Sequence, residues 1–309
     1  MKRYWFVIVT LCTILAGCSR SEPIPAGLAS SALTSSDKLT FLAVGRQGYN
    51  NEATAMIARA MENVAAGQPV DFVVQAGDNF YPQGVASTQD PQWRTSFEEL
   101  YTGEHLEALP FYAVAGNHDH QGNVAAELDY ARLKLGSGRW HMPHTFYSVD
   151  FGNAGERVLA RLVFLDTVPM LEQPARQIQF LREQMRRAGD PVWRIVVGHY
   201  PARSLTKNPF SRKRVMHSLI EVCRQLDVDL YVSANDRFQQ LLRRPGEPLH
   251  LSTNGGGEKL EKSIAPRLTD TEFVQPQRGF ATISLDGHSL TVDLLDTQGR
   301  SHYRQRLKK

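Results

Sequence analysis

Cysteine is scarce in this 309-residue chain: of its three, Cys12 and Cys18 fall within the first eighteen residues and Cys223 stands alone in the body. The folded part therefore has no intrachain disulfide to brace it, whatever the redox state of its compartment. Charge of one sign is also lacking. The formal net charge is +3, and Lys2 and Arg3 at the extreme start supply two of those charges. So even a balance gives no footing for nucleic acid or another polyanion as a partner. There is no internal repeat and no glycine-rich phosphate loop, which excludes a solenoid, a P-loop nucleotidase and a dinucleotide-binding module. The apolar run at the start, from Tyr4 to Leu15, is too short to span a bilayer comfortably.

What that run does have is the layout of an export signal: two basic residues, a short apolar core and small residues before Cys18. Leu15, Ala16, Gly17 and Cys18 resemble the lipobox of bacterial lipoproteins, in which the cysteine becomes the lipidated first residue. Residues 1–18 are thus expected to be a lipoprotein signal peptide. The anchor is expected in the bacterial cell envelope, at the outer membrane, with the domain in the periplasm or at the surface. Residues 19–38, rich in Ser, Ala and Pro without periodicity, read as a flexible tether.

With 42% hydrophobic and 22% charged residues, the remainder has enough apolar material for one large core. From Leu39 onward, strand-like runs alternate with helical patterns. Residues 39–44, 71–76, 111–115, 194–198 and 229–233 read as buried strands. Ala53, Met56, Ile57, Ala60, Met61 and Val64 share one helical face, as do Ile178, Leu181 and Met185. Alternating runs on either side of Asp286-Gly287 read as a hairpin. This alternation predicts βαβ units and an α/β fold. The loops after the five strands, "GRQGYN", "GDNFYP", "GNHDH", "GHYP" and "ANDRF", hold the chemistry-bearing residues. In an open α/β sheet such loops converge on one crevice. A carboxylate, a phenol, an amide oxygen and imidazoles gathered there make a hard-to-borderline metal site.

"GDNFYPQGV", "AGNHDHQGNV", "FLDTV", "VVGHYP" and "GFATISLDGHSLTVDLLDTQGRS", in this order over residues 39–309, closely resemble the calcineurin-like metallophosphoesterases, and among them the mammalian-type tartrate-resistant purple acid phosphatases. The resemblance implies a four-layer α/β/β/α sandwich of two mixed sheets. It implies two metals gripping a phosphate and supplying a hydroxide. Asp78 would bridge the metals and Tyr81 would bind the first, usually iron. Asn117 and His199 would bind the second. His118 would protonate the leaving group or hold the phosphate, and Asp119 would orient His118.

Two family motifs are altered, at three ligand positions. Where the family has an aspartate ligand of the first metal, this chain has Arg46. Where the family has Gly-His-x-His, with one ligand for each metal, it has Ala234, Asn235, Asp236 and Arg237. Arginine stays protonated and offers only donors, so it cannot ligate a cation. The second position keeps Asp78, Asn117 and His199, with Asn235 offering an amide oxygen. The expectation is at most one divalent metal there, magnesium, manganese, calcium or zinc, and no dinuclear iron centre. Arg46 and Arg237 are expected to converge on the lost position, pair with Asp78 and present positive charge to a phosphate. The leading reading is a lipid-anchored protein that binds phosphate or a phosphoester and turns it over poorly or not at all. The alternatives are an active phosphomonoesterase with a single-metal or arginine-assisted site, and a surface scaffold whose site is a remnant.

Cys18→Ala is expected to leave the chain unprocessed or soluble. Mass spectrometry of the mature wild-type protein should show an acyl group on Cys18, and its absence would reject the anchor.

Overall fold

The computed structural model describes residues 28–29, 36–205, 209–210, 213–255, 260 and 271–309. The leader with Cys18, most of the tether, and parts of residues 204–214 and 252–263 lie outside them. In chain order the elements are β1 (Leu28–Ala29), β2 (Lys38–Val44), α1 (Glu52–Gly67), β3 (Phe72–Gln75), β4 (Phe111–Ala113), α2 (Val124–Arg132), β5 (Trp140–His141), β6 (Tyr147–Ala154), β7 (Arg157–Phe164), α3 (Thr167–Met170), α4 (Pro174–Arg186) and β8 (Trp193–Val197). There follow α5 (Arg214–Gln225), β9 (Leu230–Ser233), β10 (Gln239–Leu242), β11 (Leu249–Ser252), β12 (Thr271–Gln275), β13 (Gly279–Asp286), β14 (Ser289–Asp296) and β15 (Ser301–Lys308).

The five strands and two helices expected from periodicity form within a few residues of their expected bounds, and Asp286-Gly287 turns the β13–β14 hairpin. They assemble into two mixed sheets, one ordered β1-β6-β7-β8-β9-β11-β10-β12 and the other β15-β14-β13-β2-β3-β4-β5. Between the sheets lies the largest apolar cluster, with Phe41, Phe72 and Phe151 stacked across the interface. Outside the second sheet, Ile57 and Met61 of α1 pack on Leu42, Val44 and Val73. Outside the first, Phe180 of α4 and Leu219 and Cys223 of α5 pack on Val163 and Val196. The alternating inward and outward residues of each strand thus feed two different cores, which makes the architecture α/β/β/α.

Local chemistry sets the element ends. Asn51 caps α1 by accepting the Thr54 N–H at 3.1 Å, while the Thr54 hydroxyl accepts the Asn51 N–H at 2.9 Å. One segment departs from expectation: Leu28–Ala29, within the stretch read as flexible tether, pairs in parallel with Val149 and Asp150 on the edge of β6. An uncovered strand edge offers backbone donors and acceptors that a passing extended segment can satisfy.

The fully buried Arg161 fastens α4 to the first sheet. Its guanidinium meets Asp150 twice, at 2.7 and 2.8 Å, and donates to the carbonyls of Gln184 at 2.8 Å, Arg187 at 3.0 Å and Ala188 at 2.8 Å. All five N–H groups are used, three of them on carbonyls in and just after the last turn of the helix. Arg161→Met is expected to lower stability by about 3–5 kcal/mol, read as a fall in the urea midpoint, because it leaves Asp150 with Arg187 alone and strands the Ala188 carbonyl. Arg161→Lys should recover only part of that loss, since an ammonium lacks the planar fork.

Candidate functional site

Arg46 follows β2, Asp78 follows β3, Asn117 and His118 follow β4, His199 follows β8 and Asn235 follows β9. The two sheets therefore bring to one place residues up to 189 positions apart, as the contact between Arg46 and Asn235 shows. Three of these residues hold left-handed backbone: Arg46 (φ 61°), Asp78 (φ 56°) and Asn235 (φ 62°). Non-glycine residues rarely adopt it, and such strain persists where the surroundings over-determine the chain. Gly116 is needed for close approach, since a Cβ there would collide with the Asp78 backbone and carboxylate.

Asp78 is wholly buried at the centre. It accepts the Tyr81 hydroxyl at 2.5 Å and the His118 N–H at 3.1 Å, and its Oδ1 lies 3.3 Å from His199 Nε2. Burial opposes its ionisation, yet the His199 ring, the Tyr81 hydroxyl, the Arg46 guanidinium and the His118 amide together hold its carboxyl below the usual range. Burial and the Asp78 charge push the Tyr81 phenol far up, so it remains a donor. His199 donates from Nδ1 to the Ala76 carbonyl at 2.8 Å, and burial lowers its pKa, leaving Nε2 a lone pair. That lone pair faces Asn117 Oδ1 at 3.2 Å and accepts from Asn235 Nδ2 at 3.1 Å, and the same Asn235 amide donates to Asn117 Oδ1 at 2.9 Å.

Arg46 is 5% exposed and donates to the Asn235 carbonyl at 3.1 Å. It is the cation that lowers Asp78 and opposes protonation of His199. Arg237 differs in burial: its side chain is exposed, and of the two arginines expected at Asp78 it is Arg46 that lowers the Asp78 carboxyl. Asn235 also differs from expectation, in that its amide turns its N–H groups inward and its carbonyl that meets Arg46 is the backbone one.

Asp119 does not orient the His118 ring. His118 donates from Nδ1 to the Pro82 carbonyl at 2.7 Å. The buried Asp119 carboxylate instead accepts the N–H groups of Gly116 at 2.6 Å, Asn79 at 2.9 Å and Phe80 at 3.1 Å, tying together the loops after β3 and β4. Burial and the nearby Asp78 charge raise its pKa to about 7. His120 and Asp166 escaped the sequence reading although both stand in quoted motifs. His120 Nε2 lies 2.9 Å from the buried Asp166, linking the loops after β4 and β7. Thr167 Oγ1 accepts the backbone N–H groups of His199 at 3.2 Å and Tyr200 at 2.9 Å. An aspartate followed by a hydroxyl residue just past an apolar run, Asp166-Thr167, was the available signal.

The donor set bears on metals. Among the described residues, no three His, Cys, Asp or Glu side chains gather to hold an ion. A dinuclear centre does not fit this donor set, because the buried guanidinium that acts on Asp78, Tyr81 and His199 offers donors only and opposes a second cation. Asp78 Oδ1, Asn117 Oδ1 and His199 Nε2 do converge, with spacings of 3.2–3.3 Å from His199. Those lone pairs suit one hard or borderline cation.

A model of the calcineurin-like phosphoesterases matches residues 50–234. Purple acid phosphatase 4 of Arabidopsis thaliana is 28% identical over 96% of this chain and 91% of its own. The human tartrate-resistant acid phosphatase type 5 is 27% identical over 87% of this chain and 90% of its own. Among solved structures, GAP50, the anchor in the inner membrane complex of Plasmodium, superposes with TM-score 0.75 at 23% identity over 88% of this chain and 89% of that one. The yellow lupin purple acid phosphatase superposes with TM-score 0.68 at 15% identity over 89% of this chain and 54% of that one. The family typically binds a dinuclear metal centre. With its two-sheet sandwich, its strand-end site and a family match over more than half its length, the chain belongs to the calcineurin-like phosphoesterases, with purple acid phosphatases as relatives over most of its length.

Proposed function

We propose that this chain is a lipid-anchored member of the bacterial cell envelope that binds phosphate or a phosphoester and has lost most or all of the family's hydrolytic power. The observation that carries the reading is the buried Arg46 guanidinium beside Asp78. A guanidinium supplies to phosphate oxygens the charge and paired donors that an ion would otherwise supply. It does not lower the pKa of a bound water as a metal does. Binding survives the exchange, and generation of the nucleophile does not. His118, pinned through Nδ1, is left with Nε2 to meet a phosphate or leaving-group oxygen.

A second reading, an active phosphomonoesterase with one divalent metal, is favoured by the convergence of Asp78, Asn117 and His199. These residues, with Asn235 after rotation of its amide, would hold the ion. Such an ion would supply Lewis acidity to a phosphoryl oxygen. Under either reading the chain holds at most about one metal, since the first position is taken by a cation that is always charged.

Isothermal titration with inorganic phosphate tests the reading. Arg46→Ala is expected to weaken binding by about tenfold or more, with Arg46→Lys intermediate. Unchanged affinity in Arg46→Ala would sink the proposal. Elemental analysis should find no more than about one metal per chain, and no visible band that Tyr81→Phe removes.

Recoverability gives a further check. Arg46→Asp with Asn235→His and Arg237→His is expected to raise metal content and to increase phosphomonoester turnover on the order of a hundredfold. Each single reversion should do little, since a lone carboxylate at position 46 leaves the other ligands missing. Family-like turnover by the unaltered protein would overturn the impaired-hydrolysis reading.

A further inference from the structure

Tyr49 has no part in the ligand set that the family resemblance implies, yet the fold carries its ring to the site. The preceding residue is locked onto the loop after β3: the Gly48 N–H donates to the Asp78 carbonyl at 3.3 Å, and the Gly48 carbonyl accepts the Tyr81 N–H at 3.2 Å. A Cβ at position 48 would collide with the backbone of Asn79 and Phe80, so only glycine permits this approach. The consequence is a face-to-face stack of Tyr49 on Tyr81, with ring centroids 3.8 Å apart and planes 22° apart. The His118 ring also lies against Tyr81, at 4.1 Å and 40°. Tyr81 is buried in the middle of this ladder, while Tyr49 and His118 are half-buried and so meet solvent with part of their surface.

We infer that Tyr49 determines specificity, its ring selecting phosphoesters whose alcohol part is a planar aromatic group over those whose alcohol part is alkyl. This rests on the phosphate-binding reading above. A phosphate held by Arg46 and His118 has its inner side closed by Asp78, Asn117, His199 and Asn235, whose polar atoms lie 2.9–3.3 Å from a neighbour in the group. The ester oxygen must then point outward, along the rim that the ladder forms. A planar group there extends an existing stack, whereas an alkyl group gains only partial burial. Core packing is the competing account of Tyr49. It explains a ring covering Tyr81, but not why the residue stands outside every apolar core cluster of the described residues and keeps part of its surface in solvent.

The test is titration calorimetry on the full-length protein with phenyl phosphate, glycerol 2-phosphate and inorganic phosphate. Wild type is expected to bind phenyl phosphate about tenfold more tightly than glycerol 2-phosphate, the gain typical of one aromatic stack. Tyr49→Ala should bring that ratio to within about twofold, and Tyr49→Phe, which keeps the ring and loses the hydroxyl, should preserve it. Thermal melting confirms that each variant is folded. Equal affinities for the two esters in wild type, or a ratio that survives Tyr49→Ala, would overturn the assignment while leaving phosphate binding intact. No binding of any of the three ligands by wild type would overturn the phosphate-binding reading and this assignment with it.

Discussion

A buried guanidinium must be matched by charge and by acceptors, and Arg46 finds both between Asp78 and the Asn235 carbonyl. The rest of the site follows from that match. With a cation already present, the Asp78 carboxylate stays ionised in a wholly buried position and takes the Tyr81 hydroxyl as a donor. The phenol therefore remains a phenol. His199, neutral through burial, turns its lone pair toward Asn117 and the Asn235 amide. The outcome is a buried cluster in which the Tyr81 hydroxyl, the Arg46 guanidinium and the Asn235 amide supply donors, in a place where the family ordinarily depends on ions to neutralise gathered acceptors.

The scaffold around this network has kept the shape of a ligand-binding site. Left-handed backbone at Arg46, Asp78 and Asn235 marks the ends of two strands of one sheet and one of the other that meet at the site, and that geometry is independent of what the side chains there can bind. Asp119 ties the loops after β3 and β4 through backbone amides. His120 and Asp166 tie the loop after β4 to that after β7, and Thr167 in turn supports the backbone of His199. Because these fastenings lie behind the site residues, an altered residue at position 46 or 235 can change the chemistry while the loops stay where they were. The same separation explains how whole-length likeness to purple acid phosphatases coexists with a first-metal position that no longer suits a metal.

The fold was largely legible because its signals are local. Apolar runs such as residues 39–44 and 111–115, the helical face of α1 and the Asp286-Gly287 turn each encode their element within a few residues. The outer strands were harder. Leu28–Ala29 has no strand signature of its own and pairs only because β6 presents an open edge. The same contrast holds in the site, where Asp78, Asn117, His118 and His199 were identified from spaced motifs, while the partners that fix them were not. Asp119 was expected beside His118, its neighbour in sequence, but a carboxylate held by three backbone N–H groups can be found only when distant loops are placed together.

The sequence by itself determined that an arginine, which offers donors and never a lone pair, replaces a ligand at two family positions, and so excluded those positions from metal binding. It could not determine where either guanidinium points, because the direction of a long side chain depends on which surfaces close over it. Tertiary structure decided that Arg46 is buried in the field of Asp78 while Arg237 is exposed, since the loop after β2 is covered by those after β3 and β9. It decided likewise that Tyr49, unremarkable in "GRQGYN", lies flat on Tyr81, because the close approach of Gly48 leaves its ring that face to cover.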